Sequence, residues 1–420
     1  MKVFKKYQTA LRDNLKNWIE ELKEVDILVG IPSFNSEDTI EGVVKACGEG
    51  LQKYFKNFKT AILISDGGSL DDTREKALGA EIPTGVKRMV AIYRGMPGKG
   101  TSARAVFEAA KALKATVCVG VDSDLRNITP EWINLLASPV LEKKADFVVP
   151  YYLRHKYDGS ITNHIVYPLT RALYGKRIRQ PIGGDFGFSG ELASYFCQQD
   201  VWLTDVARFG IDIWMTISAV NEGYKIVQAD LGTKIHDAKD PSLDLAPMFH
   251  QVVSTLFYLM GKYEKKWMVV DKSEDVKIIR NTPEPLKLET VSVTQSKLQD
   301  EFVEGFHHFE PLYHQVIAHE NYEQLKKRVE KLEKTGELDF PADLWAKIIY
   351  DFGFIYQTWS RNRRRLVDMI TPLYFGRIGA YSREVAELDS QEAEKFIEKQ
   401  AEKFEKLKPY LKEKFKRWEE

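Results

Sequence analysis

The chain has 420 residues, 44% of them hydrophobic, with 61 basic and 61 acidic side chains. This balance gives no global attraction to nucleic acid or to an anionic membrane surface, and no apolar run approaches the roughly 20 residues of a membrane span. Three widely spaced cysteines, Cys47, Cys118 and Cys197, make no CxxC pair and no disulfide framework, which points to a reducing, cytoplasmic setting. Met1–Glu24 reads as a charged N-terminal helix without the apolar stretch of a secretory leader.

From Val25 the pattern alternates strand and helix. Strands are expected at Asp26–Ile31, Thr60–Ile64, Lys87–Tyr93, Ala115–Val121 and Ala145–Pro150, with a further strand-like stretch at Lys225–Leu231. Helices are expected at Ser36–Tyr54, from Asp71, at Gly98–Leu113 and at Thr129–Leu141, the last with Pro130 at its favoured first position. Continuous apolar strands between helices predict a doubly wound, mainly parallel α/β sheet. After Leu231 the character changes. Ser242–Lys262 is apolar and helical, and Gln391–Glu420 is rich in Lys and Glu with an apolar stripe of Phe396, Phe404, Leu407 and Phe415. We expect a helix over 1–24, the α/β domain over 25–264 and a mainly helical domain over 265–420.

The chemistry-bearing segments fall after strands, where open α/β sheets bind ligands. Val119-Gly120-Val121 runs into Asp122-Ser123-Asp124, and two carboxylates on alternate residues point the same way on a strand and can hold a hard divalent cation. The first strand ends in Pro32-Ser33-Phe34-Asn35-Ser36-Glu37, which leaves room for a nucleoside; Glu37 or Asp38 at a helix start equally serves as a cap. The second ends in Asp66-Gly67-Gly68-Ser69, where a tight turn is the plainer reading and acceptance from a base or ribose the functional one. Pro97-Gly98-Lys99-Gly100, before a helix, suits phosphate binding without having P-loop spacing. His236, after Lys234-Ile235, is either a structural histidine or a ligand of the same metal. Gln180-Pro181-Ile182-Gly183-Gly184-Asp185 allows close approach of a sugar to backbone, and Asp212 opens a helix as a cap or faces a reacting sugar. Arg361-Asn362-Arg363-Arg364-Arg365 reads as solvated surface or a subunit contact.

Taken in order, these motifs resemble the retaining GT-A glycosyltransferases that make glucosyl-3-phosphoglycerate, mannosylglycerate and glucosylglycerate. The resemblance spans roughly Asp26 to Met260. It implies a GT-A fold and donor binding by Pro32, Ser33, Asn35, Glu37, Asp66, Lys99, Asp122, Ser123, Gly183, Gly184 and Asp185. The family motif there is Gln-Pro-Leu-Gly-Gly-Glu, so this chain shortens the acid at Asp185. The resemblance also implies a divalent metal, Mg2+ or Mn2+, on Asp124 and His236 with Asp122, and a catalytic role for Asp212 beside the anomeric carbon. Arg154, Asp158 and Thr162 match the acceptor pattern of mannosylglycerate synthases. Ser160 stands where the resemblance to the 3-phosphoglycerate enzymes would place an Arg, which argues for unphosphorylated D-glycerate unless Lys156 or Lys239 supplies the cation.

The expectation is therefore a hexosyltransferase that uses GDP-, ADP- or UDP-hexose, glucose favoured, and transfers to the 2-hydroxyl of D-glycerate. It is expected to be a homo-oligomer, a dimer, without nucleic-acid partners and with a compatible solute as product. Mannosylglycerate synthesis from GDP-mannose and glucosyl-3-phosphoglycerate synthesis are the enzymatic alternatives. A nucleotidylyltransferase would want a Gly-rich basic loop that Gly30–Asn35 lacks. A scaffold built on a decayed transferase would not need the Asp, Asp, His set.

Overall fold

In the computed structural model of the chain, residues 8–235, 246–280 and 288–419 are described. The chain divides into two compact units, one made of Met1–Leu153, Gln180–Asp237 and Val276–Leu288, the other of Arg154–Arg179, Ala238–Asp275 and Glu289–Glu420.

The first unit contains β1 (Ile27–Ser33), β2 (Thr60–Asp66), β3 (Lys87–Ile92), β4 (Val117–Gly120) and β5 (Phe147–Leu153). A two-residue pair, β6 (Lys176–Arg177) and β9 (Glu274–Asp275), belongs to the second unit. The remaining strands are β7 (Phe186–Ser189), β8 (Ile226–Thr233) and β10 (Ile278–Arg280). They complete an eight-stranded sheet in the order β10-β8-β5-β7-β4-β1-β2-β3. All neighbours pair parallel except β7, which runs antiparallel to β4 and β5.

Strands such as β1 and β2 are apolar on both faces because helices cover both. Their Ile27, Val29, Ile31, Ile62 and Ile64 form one core with Val43, Val44 and Leu51 of the helix Ile40–Phe55 and Ile133 and Leu136 of the helix Pro130–Leu141. On the order of 1.5–3 kcal/mol per fully buried aliphatic side chain holds this layer. The chain builds β1, β2 and β3 outward in one direction and then returns to place β4 on the other side of β1. That reversal opens a crevice at the carboxyl ends of β1 and β4, where doubly wound sheets bind ligands.

The expected strands form within a few residues of their predicted ends, but β4 stops at Gly120. Asp122 and Asp124 therefore lie on a loop, and strand alternation does not set their directions. β7 and β10 were not foreseen.

The second unit is mainly helical, with helices at Ala246–Lys262, Gln295–Val316, His319–Thr335, Ala342–Thr358, Arg364–Glu384 and Ser390–Glu419. Residues 154–179 and 246–262, expected in the transferase layer, group with these helices. The helix Tyr167–Tyr174 is the reason for the first: Arg171 is paired to Glu398 and Glu405 of the last helix, both at 2.8 Å, and Tyr167 donates its hydroxyl to Glu398. Phe404 and Phe415 of the expected stripe are fully buried, as are Trp345 and Tyr350. Arg361–Arg365 is exposed throughout. Among the described residues no helix is long and apolar enough to cross a membrane.

Candidate active site

The loops after β1 and β2 are laced into one rim. Ser33 and Asp66 are register partners at the strand ends, and Ser33 Oγ donates to Asp66 Oδ2 at 3.0 Å. Asp66 Oδ1 accepts from the N–H groups of Gly68 and Ser69, both at 2.8 Å, and Oδ2 also accepts from Ser69 Oγ at 2.6 Å. Gly68 takes φ +85°, a left-handed value that the turn requires. Asp66 is wholly buried, so its carboxylate builds the turn and is not presented to a base or ribose.

Asn35 and Glu37 work in the same way. Asn35 Oδ1 accepts from Leu70 N at 3.0 Å, and Glu37 Oε2 accepts from Asp72 N at 3.1 Å. The rim reaches the β4 loop through Ser36 Oγ, 2.9 Å from Ser123 Oγ, and through Thr39 Oγ1, which donates to Ser123 O at 2.7 Å. Ser36 and Thr39 were not among the expected site residues. The rim also exposes an apolar ring: Phe34 is 59% exposed and lies on Gly67.

The crevice is dominated by a cluster of charges. Lys99 opens the helix Lys99–Ala112 after Gly98, whose N–H donates to Tyr93 Oη at 2.9 Å. Gly100 lies so close to the 205–208 turn that a Cβ there would stand 1.8 Å from Val206 O. This contact brings the first turn of the helix Ile211–Asn221, and with it Asp212, to Lys99. Lys99 Nζ bridges Asp122 Oδ1 at 2.8 Å and Asp212 Oδ2 at 3.0 Å.

A second ammonium, Lys234 at the end of β8, was not assigned a role from sequence. Its Nζ stands 2.9 Å from Asp122 Oδ2, from Asp185 Oδ2 and from Gly183 O. Asp185 also accepts from Asp122 N at 2.8 Å and from Tyr152 Oη, and it is fully buried. Its shortened side chain is thus a brace behind the site. Gly184, at φ +93°, has room for no side chain: a Cβ would fall 2.0 Å from Asp122 Oδ2. Thr216 of the helix Ile211–Asn221 ties the same loop down by donating to Pro181 O at 2.6 Å.

These environments set the charge states. Burial alone would raise the Asp122 carboxyl, but Lys234 and Lys99 outweigh it and hold the group far below the usual carboxylate range. Burial works against a charged Lys99, and Asp122 and Asp212 override it, so the ammonium is retained. Burial pushes Asp212 up, opposed by Lys99 and reinforced by Asp122. Anions and cations alternate along Asp212, Lys99, Asp122, Lys234 and Asp185, which suits an anionic leaving group beside a centre that develops positive charge.

The expected metal ligands are only partly described. Asp124 is half-buried on the β4 loop, and His236 lies outside the described residues. Ile235, the residue before it, is stitched to the Asp124 loop: its N–H donates to Asn127 Oδ1 at 2.9 Å and its carbonyl accepts from Arg126 N at 3.0 Å. Asn127 Nδ2 also donates to Thr233 O at 2.6 Å. Among the described residues no group of three or more His, Cys, Asp or Glu could hold a metal. One or two carboxylates fit the way Mg2+ is commonly held, with substrate phosphates completing its shell.

Arg154, Asp158 and Thr162 all belong to the second unit, where the first two pair. Arg154 Nη1 is 3.2 Å from Asp158 Oδ2, and Asp158 Oδ1 accepts from Gly159 N at 2.7 Å. Thr162 begins a five-residue π-helix, Thr162–Val166, a form that recurs at functional sites. Lys156 is committed elsewhere, its ammonium donating to three backbone carbonyls. Lys239 lies outside the described residues.

Residues 28–196 match the model of glycosyl transferase family 2. The chain carries a family 2 glycosyltransferase domain. Its sheet is the GT-A sheet, and the β1, β2 and β4 loops lie within the matched region. The glycosyltransferase is similar to glucosyl-3-phosphoglycerate synthase of Mycolicibacterium paratuberculosis, 27% identical over 257 residues, which cover 56% of this chain and 72% of that protein. It is also similar to the Petrotoga mobilis protein of the same name, 25% identical over 295 residues, 64% of this chain and 86% of that one. A crystal structure of the Mycobacterium tuberculosis glucosyl-3-phosphoglycerate synthase with Mg2+ and UDP is 26% identical, covering 58% of this chain and 83% of that chain with a TM-score of 0.45.

Proposed function

We propose that this glycosyltransferase moves a hexose, glucose by preference, from a nucleoside diphosphate to the 2-hydroxyl of D-glycerate with retention of the α configuration. The observation that carries the choice of acceptor is the cation inventory of the acceptor segment. Arg154 is paired with Asp158, Lys156 is used up by backbone carbonyls, and Ser160 brings no charge. One guanidinium suits one carboxylate, which it grips through parallel hydrogen bonds. Asp158 and Thr162 then read hydroxyls, and the Thr162 hydroxyl makes no hydrogen bond among the described residues. The name shared by the relatives favours a second reading, with 3-phosphoglycerate as acceptor and glucose as the sugar.

In the proposed mechanism Lys99 and Lys234 hold Asp122 ionised and attract the donor diphosphate. Asp212 stabilises the oxocarbenium-like centre as the glycosidic bond loosens. The departing phosphate oxygen accepts the proton of the glycerate hydroxyl on the same face, so no protein base is needed. A divalent metal, held by Asp124 and His236 with Asp122 nearby, would neutralise charge on the leaving diphosphate. Three cysteines with no disulfide among them support a cytoplasmic enzyme.

Metal dependence is the first test. Turnover of an NDP-glucose with D-glycerate should vanish in chelator and return on adding Mg2+ or Mn2+, and Asp124→Ala should lower it by roughly a thousandfold. Full activity in chelator would remove the metal from the mechanism.

A further inference from the structure

Residues 156–164, which include two of the three predicted acceptor contacts, are fastened in the second unit by side chains and carbonyls of the C-terminal region. The Lys156 ammonium donates to the carbonyls of Val385, Ala386 and Leu388 at 2.9, 2.7 and 2.7 Å. These follow the helix Arg364–Glu384, whose terminal carbonyls lack intrahelical partners and carry the negative end of the helix dipole. The Lys156 N–H donates to Ser390 Oγ at 3.2 Å, and Lys156 O accepts from Tyr381 Oη at 3.1 Å. Farther along, Tyr374 Oη donates to Ser160 Oγ at 2.7 Å and Gln400 Nε2 to Asn163 O at 2.9 Å.

The π-helix has a local cause and the same support. Pro168 has no N–H to offer the carbonyl four residues back, at His164, and its ring crowds that carbonyl in a regular helix. The chain widens there, and the indole of Trp345 donates to His164 O at 2.7 Å instead. Lys156, Ser160, Asn163 and His164 are thus each pinned by residues far away in sequence.

We propose that the helical extension is the template of the acceptor site, with Lys156 its main positioning residue. The proposal rests on reading Arg154, Asp158 and Thr162 as acceptor contacts. Lys156 does not touch the acceptor; it fixes the loop so that binding need not order it, which is where preorganisation gains affinity.

The test compares full-length wild type, Lys156→Met and Lys156→Arg by steady-state kinetics, with whichever of D-glycerate and 3-phosphoglycerate the wild type uses, and by amide hydrogen exchange. Lys156→Met should raise KM for the acceptor about tenfold, leave donor KM and kcat within about twofold, and speed exchange over 156–163 at least about tenfold while β1 and β2 stay protected. Lys156→Arg, which keeps several donors, should recover most of both effects. Unchanged exchange, or a loss shared by both KM values and kcat, would overturn the proposal. Loss of 3-phosphoglycerate use alone, with unaltered exchange, would also overturn it, because Lys156 would then be a phosphate ligand. A wild type that accepts neither compound defeats the acceptor reading, and the exchange result still decides the template.

Discussion

Lys234→Met is expected to fold, to lose at least about a hundredfold in kcat, and to melt on the order of 10 °C lower. Methionine fills similar space but leaves Asp122 and Asp185 facing each other without the ammonium that stands 2.9 Å from both. Breaking a buried ion pair from one side costs roughly 3–5 kcal/mol because the remaining charge is uncompensated. Turnover should fall for a separate reason: Lys234 also holds Gly183 O, so the Gly183-Gly184 loop and the Asp122 carboxylate lose their common anchor. Adding Asp185→Asn should restore much of the melting temperature by removing one lone charge, without restoring turnover. Wild-type kcat in the single variant would mean that Lys234 is structural only.

Asp212→Ala is expected to lower kcat by about 10²–10³ with donor KM within a few-fold, the pattern of an interaction made mainly in the transition state. The side chain is mostly buried and bonded to Lys99 at 3.0 Å, so removing it also releases an ammonium onto Asp122 alone. Asp212→Asn keeps the shape and loses the charge, and should be nearly as slow. Steady-state rates for both variants check this. An asparagine variant close to wild type would show that position 212 needs a hydrogen bond and not an anion.

The sheet was readable because its strands are continuous apolar runs separated by helices, a pattern that burial on both faces enforces. β7 was not readable. It has four residues, and Gly187 between Phe186 and Phe188 breaks the apolar signal, although a Cβ at Gly187 would stand 1.9 Å from Leu136 O. The residues expected on the donor side lie on adjoining loops, but what each side chain does there was not legible in sequence. Asp66 and Asp185 look like ligands in sequence, and burial turns them into a turn-former and a brace. Lys234 escaped notice for the opposite reason. A lysine at a strand end is ordinarily solvated, and only partners 49 and 112 residues away in sequence make this one part of the site. Lys156 is a similar case, drawn from a phosphate candidate to a backbone cap by carbonyls 229–232 residues away in sequence.

The central claim is tested most directly by a donor-by-acceptor matrix: ADP-, GDP- and UDP-glucose and GDP-mannose against D-glycerate and 3-phosphoglycerate, with the product anomer read by NMR. We expect an α-linked glucosylglycerate, with D-glycerate preferred over 3-phosphoglycerate by at least about tenfold in kcat/KM. Activity with GDP-mannose and with no NDP-glucose, or transfer to 3-phosphoglycerate alone, would contradict it.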